Sequence, residues 1–179
     1  MIEQPSSAGT TGTTDIVATE IASDGEAATA RLAARLADLS GRGDVLALDG
    51  PLGSGKTVFA RGFIRALTRP DEEVPSPTFT LVQIYESGRG PIHHFDLYRI
   101  EAAAELDELG LEEAFADGIT LIEWPGRAAA LRTERWLTVH FAIAAGPGEQ
   151  RTIGLHPGAA WRARLEALDL DDDGSGHAR

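Results

Sequence analysis

Eight consecutive residues, Gly50-Pro51-Leu52-Gly53-Ser54-Gly55-Lys56-Thr57, carry the pattern G-x-x-x-x-G-K-[ST]. Residues of these types can do one thing well, which is to hold polyphosphate. Glycines let the backbone wrap so that successive N–H groups point inward at phosphate oxygens. A helix starting near Lys56 adds the positive end of its dipole. The Lys56 ammonium is expected to reach the β and γ phosphates of a nucleoside triphosphate, and the Thr57 hydroxyl to ligate Mg2+. The bland alternative is a glycine-rich surface turn. Lys56 is the only lysine in the chain. Around one lysine, two correctly placed glycines and a following Ser or Thr arise by chance on the order of once in a thousand.

Other residues could complete such a site. Glu123 ends the apolar run Ile119 to Glu123 (ITLIE), and a carboxylate at the end of a neighbouring strand is what a P-loop ATPase needs to hold Mg2+. Asp96 lies in His93-His94-Phe95-Asp96-Leu97-Tyr98-Arg99. Alternation puts His94, Asp96 and Tyr98 on one face, where Asp96 could orient an attacking water or instead pair with a nearby arginine. The adjacent histidines face opposite sides, so a packed and a surface histidine are expected, not a metal site. Ser76-Pro77-Thr78-Phe79-Thr80 reads by residue type as a turn feeding a strand, though its hydroxyls could close over a γ-phosphate.

These residues need elements to position them. Asp15 to Glu20 alternates like an edge strand. Ser23-Asp24-Gly25-Glu26 has capping-box spacing, and the following helix places Ala28, Leu32, Leu36 and Leu39 on one face before Ser40-Gly41. Val45 to Asp49 (VLALD) is a buried-strand pattern leading into the glycine-rich loop. A helix bearing Phe59, Phe63 and Leu67 follows and stops before Pro70. Asp71 to Pro77 is a loop because of its two prolines. Thr80 to Tyr85 and Ile92 to Tyr98 read as strands joined by a hairpin at Ser87-Gly88-Arg89-Gly90. Glu101 to Ala116 is helical with a break at Gly110. Arg135 to Ile143 and Gln150 to Leu155 are late strands around a Gly-Pro-Gly turn, and Ala159 to Leu168 is a closing helix. The expected fold is α/β, a P-loop NTPase-like mixed sheet, parallel at the centre with an antiparallel hairpin and flanked by helices.

Composition bounds the rest. With 179 residues, 42% hydrophobic and 25% charged, the chain suits a single domain at 14–168. Residues 1–13 and 169–179, the latter acidic, read as disordered tails. No apolar run approaches the ~20 residues of a membrane helix. There is neither a secretion signal nor any cysteine, so no membrane association and a cytoplasmic location are expected. The net charge of -12 makes the chain a poor candidate to grip nucleic acid by itself. A Ras-like GTPase is excluded, because its guanine-reading N-K-x-D motif needs a second lysine.

Several stretches taken in order, the phosphate loop, SPTFTLV (Ser76 to Val82), HFDLYR (His94 to Arg99), ELDELGLEE (Glu105 to Glu113) and LIEWP (Leu121 to Pro125), resemble the bacterial TsaE family, formerly YjeE. The similarity spans roughly residues 15 to 165. It implies a small ATPase using ATP and Mg2+. Such a protein works with TsaB- and TsaD-like partners that transfer a threonylcarbamoyl group to adenosine 37 of tRNA, meeting tRNA only through that complex. Carried over by position, Lys56, Asp96 and Glu123 are the catalytic set. Gly50, Leu52, Gly53, Ser54, Gly55, Lys56, Thr57, Val58, Thr78 and Trp124 contact the nucleotide, and Thr57 and Glu123 hold the metal. Ser76, Pro77 and Thr78 match the switch-like segment; Trp124, by itself a core aromatic, joins the site through the EW pair. Pro51 stands where the family often has Asp, removing a charge and a backbone donor, and Gly126 stands where Glu often follows Trp-Pro. Two other readings use the same loop. A small-molecule kinase would take Arg127, Arg132 and Arg135 as a lid, and a nucleotide-dependent binding switch would hydrolyse negligibly.

Overall fold

The computed structural model describes residues 19–101, 103–143 and 150–168. Both expected tails and the Gly146-Pro147-Gly148 turn lie outside them. The strands are β1 (Thr19–Asp24), β2 (Val45–Asp49), β3 (Val82–Tyr85), β4 (Ile92–Asp96), β5 (Ile119–Glu123), β6 (Trp136–Ile143) and β7 (Gln150–Pro157). They form one sheet in the order β1-β7-β6-β2-β5-β4-β3. Its centre is parallel, with β2 between β5 and β6 and with β4 beside β5. Antiparallel pairs flank it on both sides, the expected β3–β4 hairpin at one edge and β6–β7–β1 at the other.

Helices α1 (Glu26–Leu39), α2 (Lys56–Leu67) and α5 (Ala159–Glu166) cover one face; α3 (Ala103–Glu108), α4 (Leu111–Asp117) and a 3-10 helix (Pro125–Leu131) cover the other. The alternation of β2 explains the two layers. Leu46 and Leu48 enter the core with Leu36, Phe59, Phe63 and Trp161, while Val45 and Ala47 enter the opposite one with Phe95, Ile122 and Trp136. A strand buried on both faces has no polar side to show, so its sequence is a continuous apolar run. Each large side chain so buried contributes roughly 1.5–3 kcal/mol. Among the described residues no helix is long and apolar enough to cross a membrane.

Two local expectations are corrected. The first strand, described over Thr19–Asp24, runs on past Glu20, where it was expected to end; residues 15–18 lie outside the described ones. The Ser23–Glu26 capping box does not form, because Ser23 belongs to that strand and Gly25 is the N-cap. The Ser23 hydroxyl instead lies 2.8 Å from that of Thr29, tying strand to helix. The break between α3 and α4 falls at Leu109-Gly110, as expected.

Candidate functional site

The parallel strands β2, β4 and β5 end side by side, and the chemistry gathers at those carboxyl ends. The chain leaves β2 through Gly50, whose φ of 144° and proximity to Phe141 exclude a side chain; a Cβ there would sit 2.5 Å from the Phe141 carbonyl oxygen. The loop then turns through Gly55, left-handed at φ 107°, which is the N-cap of α2. This trajectory brings Lys56 back over the loop it follows. Its ammonium donates to the carbonyls of Gly50 and Pro51, each at 2.8 Å, and lies 4.0 Å from the centre of the Trp124 ring. Burial pushes the Lys56 ammonium below its ordinary pKa of 10.5, against the opposing pull of Glu123, Asp49 and Asp96. An ammonium whose hydrogen bonds among the described residues go to two loop carbonyls is available to phosphate oxygens, which accept a charge-assisted bond more strongly.

The next residue faces the carboxylate. The Thr57 hydroxyl donates to Glu123, 3.0 Å from Oε1 and 3.1 Å from Oε2. Glu123 is 3% exposed and closes β5. A hydroxyl and a carboxylate at the loop's mouth form an all-oxygen donor pair of the kind Mg2+ takes together with phosphate oxygens and water. The residues therefore fit that ion.

In the β4–β5 register Asp96 stands opposite Glu123. Its carboxylate is held by neutral donors. The Thr78 hydroxyl donates to Oδ2 at 2.8 Å, the Ser76 hydroxyl to the same atom at 3.3 Å, and the Tyr98 amide to Oδ1 at 2.9 Å. Thus the 76–78 segment lies against Asp96, and the chain turns at 78–80 before feeding β3, as its residue types suggest. Trp124 takes a left-handed conformation, φ 60° and ψ 52°, that an aromatic residue rarely adopts. It turns the chain sharply off β5, setting its ring between Lys56 and Tyr98, whose ring centre is 4.9 Å away.

These residues line one cleft of about 310 Å3, bounded by the loop, Ser76, Thr78, Asp96, Glu123 and Trp124. Of the expected contacts, Gly53, Ser54, Gly55 and Val58 line it as well. Leu52 also lines it, yet its side chain is 80% exposed at the loop tip, so only its backbone is suited to a ligand. Gly50 lies beneath, supplying a carbonyl to Lys56.

Three contributors were missed from sequence. Glu26, at the start of α1, and Arg151, on β7, both border the cleft; nothing in their local sequence marks them, because the fold alone brings those elements to the loop. His94 is fully buried, as the packed histidine was expected to be, but its Nε2 lies 3.0 Å from Glu123 Oε1. Alternation had placed it on the face of Asp96 without showing what that face meets. Arg135 does not form part of a lid. It bonds Asp44 and the Arg42 carbonyl at the opposite end of the sheet.

A parallel-centred sheet whose first central strand runs through this loop into a helix, beside two strand-end carboxylates, defines a P-loop NTPase-like protein. Residues 23–153 match the family model for Threonylcarbamoyl adenosine biosynthesis protein TsaE. Three relatives are each named tRNA threonylcarbamoyladenosine biosynthesis protein TsaE. That of Rickettsia felis is 41% identical over 118 residues, 66% of this chain and 69% of its own. That of Bacillus subtilis is 48% identical over 85 residues, 46% and 51% of the two chains. That of Treponema pallidum is 33% identical over 126 residues, 70% and 92%. The crystal structure of Bacillus subtilis YdiB superposes with a TM-score of 0.69 at 27% identity, covering 83% of this chain and 91% of that one. The chain belongs to the TsaE family.

Proposed function

We propose that this protein is the ATP-binding and ATP-hydrolysing component of the assembly that forms N6-threonylcarbamoyladenosine at position 37 of tRNA. The observation that carries this reading is the Thr57–Glu123 pair at the mouth of the phosphate loop, with Asp96 beside it, in a chain of the TsaE family. ATP and water become ADP and phosphate. The loop's backbone N–H groups and Lys56 bind the β and γ phosphates, and the positive end of α2 adds to their hold. Thr57 and Glu123 hold Mg2+, which when bound neutralises charge on those phosphates. Asp96, fixed by Thr78, Ser76 and the Tyr98 amide, orients the attacking water. Trp124 shields Lys56 from solvent, strengthening its attraction for phosphate.

The net charge of -12 supports a division of labour in which TsaB- and TsaD-like partners, not this chain, carry the RNA in the cytoplasm. The test is a pull-down from cell extract with ATP and Mg2+, run beside an ATP turnover assay. Recovery of TsaB- and TsaD-like proteins with wild type but not with Lys56→Ala, and turnover that rises when they are added, is the expected result. A phosphorylated metabolite as product would point to a kinase instead. Tight tRNA binding by the purified chain at physiological salt would overturn the division of labour.

A further inference from the structure

We propose that His94 is a positioning residue of the metal site, whose imidazole fixes the orientation of the Glu123 carboxylate; this rests on reading Thr57 and Glu123 as the Mg2+ pair. In the parallel register His94 stands opposite Leu121 and Asp96 opposite Glu123. His94 therefore reaches Glu123 diagonally, two residues along the neighbouring strand on the same face. Its side chain is fully buried, where an aliphatic residue would serve packing alone and an imidazole costs free energy unless it is hydrogen-bonded.

The bond it makes is to Glu123 Oε1, and its buried Nδ1 has no hydrogen-bond partner among the described residues. A proton on Nδ1 would have no acceptor, whereas one on Nε2 points at a carboxylate. The arrangement thus makes His94 Nε2–H the donor and Glu123 Oε1 the acceptor. Thr57 cannot set the carboxylate plane by itself, because its hydroxyl lies almost equally far from both oxygens, 3.0 and 3.1 Å. His94 engages Oε1 and breaks that symmetry. Partners that orient a ligating carboxylate in this way are worth about 10- to 100-fold in metal affinity.

The experiment compares His94→Leu, which keeps bulk but loses the donor, with His94→Gln, whose amide nitrogen can replace Nε2–H. Binding of a fluorescent ADP analogue is titrated with Mg2+ and repeated in EDTA, with thermal unfolding of each variant as the check on folding. His94→Leu should weaken the apparent Mg2+ affinity about 10- to 100-fold, leave nucleotide affinity in EDTA within about twofold, and be largely rescued in His94→Gln. Unchanged Mg2+ affinity in a folded His94→Leu overturns the proposal, as does a folded His94→Gln that falls equally far. Should His94→Leu not fold, His94→Asn, whose amide is too short to reach Glu123, takes its place. Glu123→Gln separates the two levels. If it weakens Mg2+ binding while the His94 variants do not, His94 alone was misread. If it has no effect, the metal pair was misread and the His94 proposal falls with it.

Discussion

Both ends of the central sheet bury carboxylates, and they satisfy them by opposite means. At the end where β2 begins, Asp44 is fully buried. It is met by Arg164 at 2.6 Å, by Arg135 at 3.1 Å and by the Gly41 amide at 2.8 Å. The chain neutralises this anion with its own cations. At the end where β2, β4 and β5 finish, Glu123 receives a hydroxyl and an imidazole, and Asp96 two hydroxyls and an amide. The only lysine in the chain stands nearby yet donates to backbone carbonyls. Charge of both signs is held close and left to be completed. That pattern suits a ligand bringing both an anion and a cation, such as a triphosphate with Mg2+, and it carries a stability cost the closed end does not.

The comparison predicts that the two ends fail differently. Lys56→Ala should lower ATP turnover by about 100-fold or more, as loss of a donor to developing charge does, while the melting temperature stays level or rises because a buried cation has gone. If Lys56→Ala instead melted well below wild type with its nucleotide affinity intact, the open end would be structural. Asp44→Ala should do the reverse. Its loss takes the carboxylate from two guanidinium groups, but both keep backbone carbonyl acceptors and their side chains are 26% and 45% exposed. Destabilisation of about 2 kcal/mol is therefore expected, less than for a fully enclosed pair. Urea unfolding measures this, and nucleotide affinity should stay within about twofold of wild type.

Within the open end a finer division holds. Thr78→Val removes the shorter of the two hydroxyl bonds to Asp96 Oδ2 but leaves Ser76 and the Tyr98 amide in place. A tenfold loss of kcat is expected, about 1.4 kcal/mol, with ADP affinity unchanged, as for a residue that aims the water and does not hold the nucleotide. Equal losses in both quantities would place Thr78 among the phosphate contacts instead.

Legibility in the sequence divides along the same lines. The phosphate loop and the strands feeding it were readable because each is a local pattern: VLALD and ITLIE are buried runs, and the loop's spacing is set by backbone geometry. Glu123 was readable as a strand end, whereas Asp96 fell inside the expected strand Ile92 to Tyr98 and proves to end β4. What escaped was whatever depends on which strands become neighbours. His94 looked like one packed histidine until β4 lay beside β5 and placed it against Glu123. Arg151 reaches the cleft from β7, on the far side of the sheet from β4. Arg135 looked available for a lid, and its pairing with Asp44 exists only because β6 lies beside β2. The capping box failed for a related reason, since β7 drew Ser23 into a strand.

The smallest expected effect belongs to the other histidine of the pair, near the closed end. His93 stands beside Thr120 in the register and packs against Phe95, its ring nearly parallel at 6.4 Å. Burial lowers its pKa below the ordinary 6.5, against the opposing influence of Asp117 and Glu86. Between that lowered value and 6.5 the unfolded chain binds more protons here than the folded one, so stability rises with pH. The contribution of a neutral His93 is therefore complete above pH 6.5 and lost as pH falls through 6.5 toward the folded value. His93→Phe keeps the stacked ring and removes the proton site. Urea midpoints of the two proteins should differ by a constant amount above neutrality, and the variant should gain on wild type as the pH drops toward 5. ATP turnover at neutral pH should not change, because this imidazole does not border the cleft. A wild-type-to-variant difference that is flat across the range would mean that His93 titrates alike in both states, and that burial near the closed end does not keep it neutral.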